Sequence, residues 1–571
     1  MRELVRRLLA LPRLSTQLVV ASVFINVLAL ASPLFVMQVL NRYVAHGVDS
    51  TLVTLTTGVL IAIALEFAFR QVRTKLARSV SAGPDEKSAL AGFKVITRAK
   101  TAALEQIAPE TRREIVAGIN HVEQAYNANN ITAVLDVPFS LFFVVVLWLL
   151  EPVLSLIVLA FIIFVFVAGV LGARSMKPNT QKVQELGGVG SGLLSTATRE
   201  GDTIRSFNAG GFVREAWQKH TRAIQRLRRD LTDRQGLVQT ISQSANGLMS
   251  VAIIGVGAML VVAGKMDVGA MIGGNILASR ALQPISKFSQ LGGTFAKARE
   301  ALELFRKLAT VPLERERGSA LTQYQGSIEF RDLAFTYGGS NTPIFESLNL
   351  KLDPGKVLVV TGANGAGKTT FARLLIGLLE PSRGQILVDG LDLQQIAPEW
   401  WRKQVVYLPQ EPGLLNASIE ENIRINSPDL DSSALNAIID TVGLRRFLDE
   451  SPDGLDTPVI DNGWRLSEGI RRRIALARAL ATDGMLVVVD EPTESLDADG
   501  IEAVHGILGS MAARGRTIII MSHERGVVKG AHTLVDLNVK PVPAVSHADA
   551  ANAEAAAESG KRRKASGGAA S

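Results

Sequence analysis

Two kinds of hydrophobic pattern divide the chain. Through the first half, apolar residues run for about 20 positions at a time, the length of helix that crosses the roughly 30 Å apolar core of a bilayer. Such runs extend from about Leu18 to Leu40, Leu52 to Phe69, Ile131 to Leu150, Val153 to Ala173 and Leu248 to Ala263. A shorter sixth, Val268 to Leu282, contains Asn275 and Arg280, and standing alone it reads as a buried core helix. An even number of spans returns the rest of the chain to its starting side, so six are expected. The stretches 70–130 and 174–240 are long, charged and helix-periodic, while 41–50, 151–152 and 264–267 are short, which points to helices protruding from one face of the membrane. From about Gly326 the pattern becomes short apolar strands, Gly-rich turns and amphipathic helices, an α/β alternation that ends near Lys540. The expected organisation is an N-terminal cytoplasmic segment (1–15), a six-helix transmembrane domain (16–300), a linker (301–325), an α/β domain (326–540) and a tail (541–571). That tail is rich in Ala, Ser and Gly, carries one basic cluster at Lys561 to Lys564, and is expected to be disordered.

Charge refines the picture. Arg2, Arg6, Arg7 and Arg13 precede the first span, and Arg70, Arg73, Lys75 and Arg78 follow the second, so both ends are expected in the cytoplasm. Ala29-Leu30-Ala31 resembles a signal-peptide cleavage site, but the apolar run continues through Pro33 to Met37, too far for a signal's apolar region, and no cleavage is expected. The 571 residues are 47% hydrophobic and 20% charged, too apolar for a wholly soluble globule. The net charge of +7 fits basic cytoplasmic loops better than a nucleic-acid partner, and none is expected. There is no cysteine, which excludes disulfides, thiolate metal sites and a cysteine nucleophile.

The second half carries phosphate chemistry. Gly362-Ala363-Asn364-Gly365-Ala366-Gly367-Lys368-Thr369 follows the strand-like run Val357 to Val360 and precedes a helical pattern that begins at Thr370, the context a phosphate-binding loop requires. Gly362, Gly365 and Gly367 let backbone N–H groups curl around phosphates, Lys368 reaches the outer phosphates, and the Thr369 hydroxyl can hold Mg²⁺. Asn364 and Thr370 belong to the same expected ATP site. Further on, the buried-strand run Met485 to Val489 ends in Asp490-Glu491, two carboxylates at the edge of a sheet where ligands bind. Asp490 suits the Mg²⁺ shell, and Glu491 is placed to activate the water that attacks the γ-phosphate.

With these motifs in order, the second half resembles the nucleotide-binding domain of an ABC transporter. The resemblance extends to Gln410, in Leu408-Pro409-Gln410-Glu411-Pro412, which matches the glutamine that senses Mg²⁺ and contacts the membrane domain. It extends also to His523, matching the histidine that reaches the γ-phosphate, and to Ser495-Leu496-Asp497, matching the loop that couples two nucleotide sites. Tyr337 resembles the aromatic that stacks on adenine, although among Phe330, Phe335 and Tyr337 one could simply be core. The signature segment departs from the family's Leu-Ser-Gly-Gly-Gln: here it is Leu466-Ser467-Glu468-Gly469-Ile470. Ser467 and Gly469, which the resemblance assigns to the γ-phosphate, are kept. Glu468 places a carboxylate near an anion, and Ile470 replaces a glutamine able to return a capping-box bond.

The first half resembles the six-helix domain of ABC exporters. Ala31 to Val39, Leu135-Asp136-Val137-Pro138-Phe139, and Asn275 to Pro284 look like type I secretion permease/ATPases, which export proteases and haemolysin-type toxins. For Arg280 the resemblance leaves open a substrate contact, snorkelling or an interhelical pair. One phosphate loop and one signature per chain imply a half-transporter acting as a homodimer in the bacterial inner membrane. The resemblance further implies a secreted polypeptide substrate, a periplasmic adaptor (membrane fusion) protein and an outer-membrane channel. The first span comes almost at the start of the sequence, so no N-terminal peptidase domain is expected. Two rivals remain: an exporter of lipid, peptide or a small amphiphile, and a non-transporting nucleotide-binding regulator, against which the intact Lys368, Asp490, Glu491 and His523 weigh.

Overall fold

The computed structural model describes residues 2–547 apart from 45, 46, 48, 341, 524–527 and 529. The chain divides into two units, one formed by residues up to 98 together with 107–311, the other by 99–106 together with the chain from 312.

The first unit is helical. After α1 (Arg2–Ala10), helices α2 (Pro12–Leu28) and α3 (Ala31–Gln38) continue into a π-helical turn, Val39–Val44, as one 33-residue apolar element. Then follow α4 (Asp49–Arg98), α5 (Ala128–Leu150), α6 (Pro152–Arg199), α7 (Gly210–Val262), α8 (Val268–Gln290) and α9 (Gly292–Ala309). Helices α4, α6 and α7 have 50, 48 and 53 residues. At 1.5 Å per residue each is about 75 Å long, more than twice the apolar core of a bilayer, so each runs unbroken from an apolar span into a charged stretch.

Among the described residues, five helical elements are long and apolar enough to cross a membrane. They carry the first five expected spans. The expected sixth, α8, is long enough but not apolar enough to stand among them. Its packing explains why: Leu277, Ala278, Ala281, Leu282 and Ile285 are buried in one cluster with Phe143 and Leu147 of α5, Leu154 and Val158 of α6, and Met249 and Ile253 of α7. A helix enclosed by neighbours need not be apolar all round. Close approach depends on small residues here, since a Cβ on Gly273 would lie 2.3 Å from Cγ of Met37 in α3.

Outward-facing positions show the reverse of a soluble surface. On α4, Val53, Leu60 and Phe67 are 60–66% exposed, apolar side chains that lipid covers without cost. Polar groups are instead turned inward and paired. Arg73 of α4 lies 2.6 Å from Asp136 Oδ1 of α5, and Asn26 of α2 donates to the same oxygen at 3.5 Å. Arg7 anchors α1 through Asp85 at 2.6 Å, with its guanidinium 4.8 Å above the Tyr126 ring.

The second unit holds two sheets. One is antiparallel, in the order β2-β1-β4-β5, from β1 (Ile328–Phe335), β2 (Phe345–Leu352), β4 (Arg383–Val388) and β5 (Leu391–Asp392). The other has the order β10-β9-β3-β8-β7-β6 and contains β3 (Val357–Thr361), β6 (Val405–Leu408), β7 (Leu486–Asp490), β8 (Thr517–Met521), β9 (Thr533–Asp536) and β10 (Ala544–His547). Strands β9, β3, β8, β7 and β6 are parallel and β10 is antiparallel. Their residues alternate between two cores: Leu358, Val360 and Val488 join Phe371 and Leu374 on one face, while Val359, Val487 and Val489 join Ile474 and Ile507 on the other. A sheet buried on both faces needs continuous apolar strands, which is how Val357 to Val360 and Met485 to Val489 read.

Three boundaries differ from the sequence expectation. Helix α9 runs through 301–309, where a linker was expected, because Ala301 and Leu308 are buried on it. Strand β10 lies beyond Lys540, inside the expected tail, because the backbone of β9 offers Val535 and Leu534 as partners to Val545 and Ser546. The rest of the tail, 548–571, lies outside the described residues. Finally, residues 99–106, from the charged stretch between the second and third expected spans, belong to the second unit. Their short helix Thr101–Glu105 is held there by Lys100–Glu380 at 2.7 Å and Arg373–Glu105 at 3.1 Å.

Candidate functional site

The phosphate loop leaves the carboxyl end of β3 and opens helix α10 (Lys368–Leu375). Gly367 is the residue before that helix, at φ +111°, a conformation that L side chains rarely adopt, and a Cβ there would meet Ile344 at 2.3 Å. Phe371 and Leu374, fully buried beneath the loop, tie the first turn of α10 to the core. Its N–H groups therefore face outward as an anion cradle at a fixed place. Asn364 and Gly365 are exposed at the loop's tip, Gly362 is buried at its base, and Thr370 is buried behind it.

Around the loop the sheet's carboxyl edge gathers the expected residues. Lys368 donates to the Gly362 carbonyl at 2.7 Å and lies 3.1 Å from Glu491 Oε1. The same carboxylate oxygen is 3.2 Å from Nδ1 of His523, which follows β8. Thr369 donates to Gln410 Oε1 at 3.4 Å, and the Gln410 amide donates to Glu494 at 3.0 Å. Lys368, Thr369, Gln410, Asp490, Glu491 and His523 thus form one cluster. His523 is largely exposed at its mouth, whereas Lys368, Asp490 and Glu491 are 8%, 0% and 5% exposed.

Asp490, at the end of β7, is the unusual member. Neither of its buried carboxylate oxygens has a hydrogen-bond partner among the described residues. Burial pushes this carboxyl above its ordinary range and the Glu491 charge adds to the push, while Thr369 and Lys368 oppose it. A buried carboxylate without donors is costly unless a cation meets it. With the Thr369 hydroxyl and the Gln410 carbonyl oxygen beside it, this oxygen-only donor set suits a hard divalent cation such as Mg²⁺, which binds through one carboxylate plus phosphate oxygens and water.

Three expected residues take other positions. Tyr337 lies just past the end of β1, edge-on to Phe335 at 4.9 Å, with its hydroxyl 2.9 Å from Thr370 Oγ1. Phe330 and Phe335 are the core residues of the three, and Tyr337 is half-buried against them. Ser467 and Gly469 sit at the start of α11 (Glu468–Leu480) and bond to no member of the cluster among the described residues. Ser467 caps that helix by accepting from Ile470 N–H at 3.3 Å. Arg473 on the same helix makes a two-pronged pair with Asp497, at 2.9 and 3.1 Å, and Asp497 in turn caps α12 (Ala498–Ala513).

Sequence reasoning missed the residues that brace the cluster. Asn538 accepts from the Ala363 N–H at 2.8 Å and Lys540 donates to the Ala366 carbonyl at 2.9 Å, so the chain after β9 holds the phosphate loop from outside. Glu494 orients Gln410, and Arg472, fully buried on α11, bonds to main chain inside the site. Each of these contacts joins residues far apart in sequence, and spacing carries no signal for them.

The family model for the ABC transporter transmembrane region matches residues 17–284, and that for the ABC transporter matches 345–494. The chain is 30% identical over 541 residues to the alpha-hemolysin translocation ATP-binding protein of Escherichia coli O157:H7, covering 92% of this chain and 74% of that protein. It is 28% identical over 524 residues to the toxin RTX-I translocation ATP-binding protein of Actinobacillus pleuropneumoniae, covering 90% and 73%. The fold is that of a bacterial Atm1-family ABC exporter solved with ATP bound, with a TM-score of 0.80 at 20% identity over 92% of this chain and 94% of that one. Both halves are matched in order, and the phosphate loop, the strand-end carboxylates and the histidine meet at one edge of the sheet; the chain belongs to the ABC transporter family, as an ATP-hydrolysing exporter related to the toxin-translocation ATP-binding proteins.

Proposed function

We propose that this protein uses ATP hydrolysis to export polypeptides across the bacterial inner membrane, as the permease/ATPase of a type I secretion system. The observation that carries this reading is the similarity to toxin translocation proteins along 92% of the chain, through the membrane unit as well as the nucleotide-binding unit. Two copies act together. Each phosphate loop works with the Ser467–Gly469 segment of the other copy, which explains why that segment makes no bond to its own phosphate-loop cluster. The nucleotide-binding unit lies in the cytoplasm, on the side of the Arg-rich flanks of the first two spans. A periplasmic adaptor and an outer-membrane channel complete the path.

At each site, Lys368 and the first turn of α10 bind the outer phosphates, and Tyr337 flanks the base. Thr369, Gln410 and Asp490 would hold Mg²⁺, which would supply positive charge beside the phosphates. Lys368 and Glu491 face each other at 3.1 Å, and a γ-phosphate competes for that lysine. Glu491, so released, accepts a proton from the attacking water, and His523 donates toward the γ-phosphate. ATP-bound and ATP-free arrangements differ in these contacts, and that difference biases the membrane helices between two states.

The test is a comparison of proteins released to the medium by cells carrying the wild-type chain or Glu491→Gln. Loss of one or a few specific extracellular proteins in the variant supports polypeptide export. An unchanged set of released proteins with altered membrane lipid hands the case to export of a lipid or small amphiphile.

A further inference from the structure

The carboxylate assigned to water activation sits on a backbone that does not hold itself in place. Glu491 has φ +45°, the left-handed region, which strains a non-glycine residue and persists only where surrounding bonds over-determine it. On its amide side the bond is evident: Glu491 N–H donates to the Met521 carbonyl of β8 at 2.9 Å. On its carbonyl side the oxygen accepts from two donors, the Glu494 N–H at 3.3 Å, a turn's own bond, and Nη2 of Arg472, which reaches it from helix α11.

Arg472 is a costly choice for that bond. Its side chain is 1% exposed, and its Nε has no partner among the described residues. Burial pushes the guanidinium below its usual value, against the charges of Glu494, Glu468, Asp490 and Glu491. The second prong explains the geometry: Nη1 donates to the Gln410 carbonyl at 3.3 Å. One planar fork therefore ties together the main chain of the two residues whose side chains line the phosphate site from β6 and β7, and it does so from the second turn of α11. Met521 and Arg472 together fix both sides of the Glu491 peptide.

We propose that Arg472 is a positioning residue for hydrolysis, clamping the main-chain carbonyls of Gln410 and Glu491 so that the Glu491 carboxylate and the Gln410 amide keep their reactive placement. Arg472 would act through these two carbonyls rather than on nucleotide or water itself. Because it stands on the helix that Ser467 opens, it also joins the signature segment of a copy to that copy's own phosphate site. The proposal rests on the reading of Glu491 as the base.

The test uses the purified full chain in lipid, with kcat and KM for ATP in the presence of Mg²⁺, nucleotide affinity and thermal midpoint measured for each variant. Arg472→Met keeps an unbranched apolar stem in the buried position and removes the guanidinium with both donating nitrogens. Its kcat should fall about 10- to 100-fold, the cost of misplacing a catalytic group by a fraction of an ångström to an ångström, with KM within about twofold of wild type. Arg472→Lys, which can reach one carbonyl but not fork to two, should recover part of the loss. Arg478→Met is the control: Arg478 stands on the same helix and donates to the Gly413 carbonyl at 3.0 Å, away from Glu491, so its loss should move the thermal midpoint and leave kcat unchanged. In a Glu491→Gln background, adding Arg472→Met should lower the residual turnover by a much smaller factor than in wild type, since one of the two groups it places is gone. Unchanged kcat in Arg472→Met, an equal kcat loss in Arg478→Met, or a fully additive loss in the double variant overturns the proposal. Full turnover in Glu491→Gln alone would instead overturn the reading of the base on which it rests.

Discussion

Two aspartates, half-buried Asp136 in the membrane unit and fully buried Asp490 in the other, are treated in opposite ways. In the membrane unit, Asp136 has Arg73 at 2.6 Å and Asn26 at 3.5 Å, so its charge is answered inside the chain. In the nucleotide-binding unit, Asp490 is fully buried and neither oxygen has a hydrogen-bond donor among the described residues. The first arrangement ties three helices together through a charge that is answered on the spot. The second keeps an unfavourable charge in place, the cost expected where a cation is to be received, as proposed for Mg²⁺. Apolar groups show the same inversion: Phe371 is wholly enclosed under the phosphate loop, whereas Phe67 points outward from α4 at 64% exposure.

The largest effect expected from breaking this contrast is on packing. Phe371→Ala should destabilise the nucleotide-binding unit by about 3–5 kcal/mol, while Phe67→Ala should cost about 0.5 kcal/mol or less, because lipid replaces what the ring loses. Denaturant unfolding in mild detergent measures both, and equal losses would remove the distinction between the units.

The aspartates should respond with opposite signs. Asp136→Asn leaves the buried Arg73 without its counter-charge and should destabilise the membrane unit by about 3 kcal/mol. Asp490 has a folded-state pKa raised above its unfolded value, so the folded chain takes up the proton first. Its ionised form costs stability at neutral pH, and that cost is relieved as pH falls through the raised value. Asp490→Asn should therefore raise the thermal midpoint of the nucleotide-free chain while abolishing hydrolysis. A lowered midpoint would mean that Asp490 is paired in the folded state.

The smallest effect concerns the signature helix. Ser467 caps α11, but Ile470 at the third helical position cannot return a bond to the Ser467 amide. The helix Ile419–Arg424 of the same unit has the complete version, with Ser418 and Glu421 bonded reciprocally at 2.8 and 3.1 Å. Ile470→Gln should supply the missing bond, stabilise the start of α11 by about 0.5–1 kcal/mol and tighten ATP-dependent dimerisation. An unchanged dimer population at subsaturating ATP would show that the position is inconsequential.

The same contrast explains what was legible in the sequence. The phosphate loop could be read because its chemistry needs eight contiguous residues between a strand and a helix, and Asp490-Glu491 because a buried strand announces its own end. Five spans could be read because lipid demands long apolar runs. Helix α8 was ambiguous, since its burial against α5, α6 and α7 relaxes that demand and leaves room for Asn275 and Arg280. Nothing in 99–106 marks it as part of the nucleotide-binding unit, for the ties Lys100–Glu380 and Arg373–Glu105 span about 270 to 280 positions. Arg472 looked like one cation in the run Arg471 to Arg473, and only the fold separates the buried fork from its neighbours.

In the function proposed here, the site around Lys368 and Glu491 hydrolyses ATP, with Glu491 as the base. The most direct measurement is steady-state ATPase activity of the full chain in lipid with Mg²⁺, wild type beside Glu491→Gln, with ATP binding followed on the same samples. The expected result is wild-type turnover and a variant that binds ATP as well but turns over about 10²- to 10⁴-fold more slowly. Equal turnover by the two chains would contradict it.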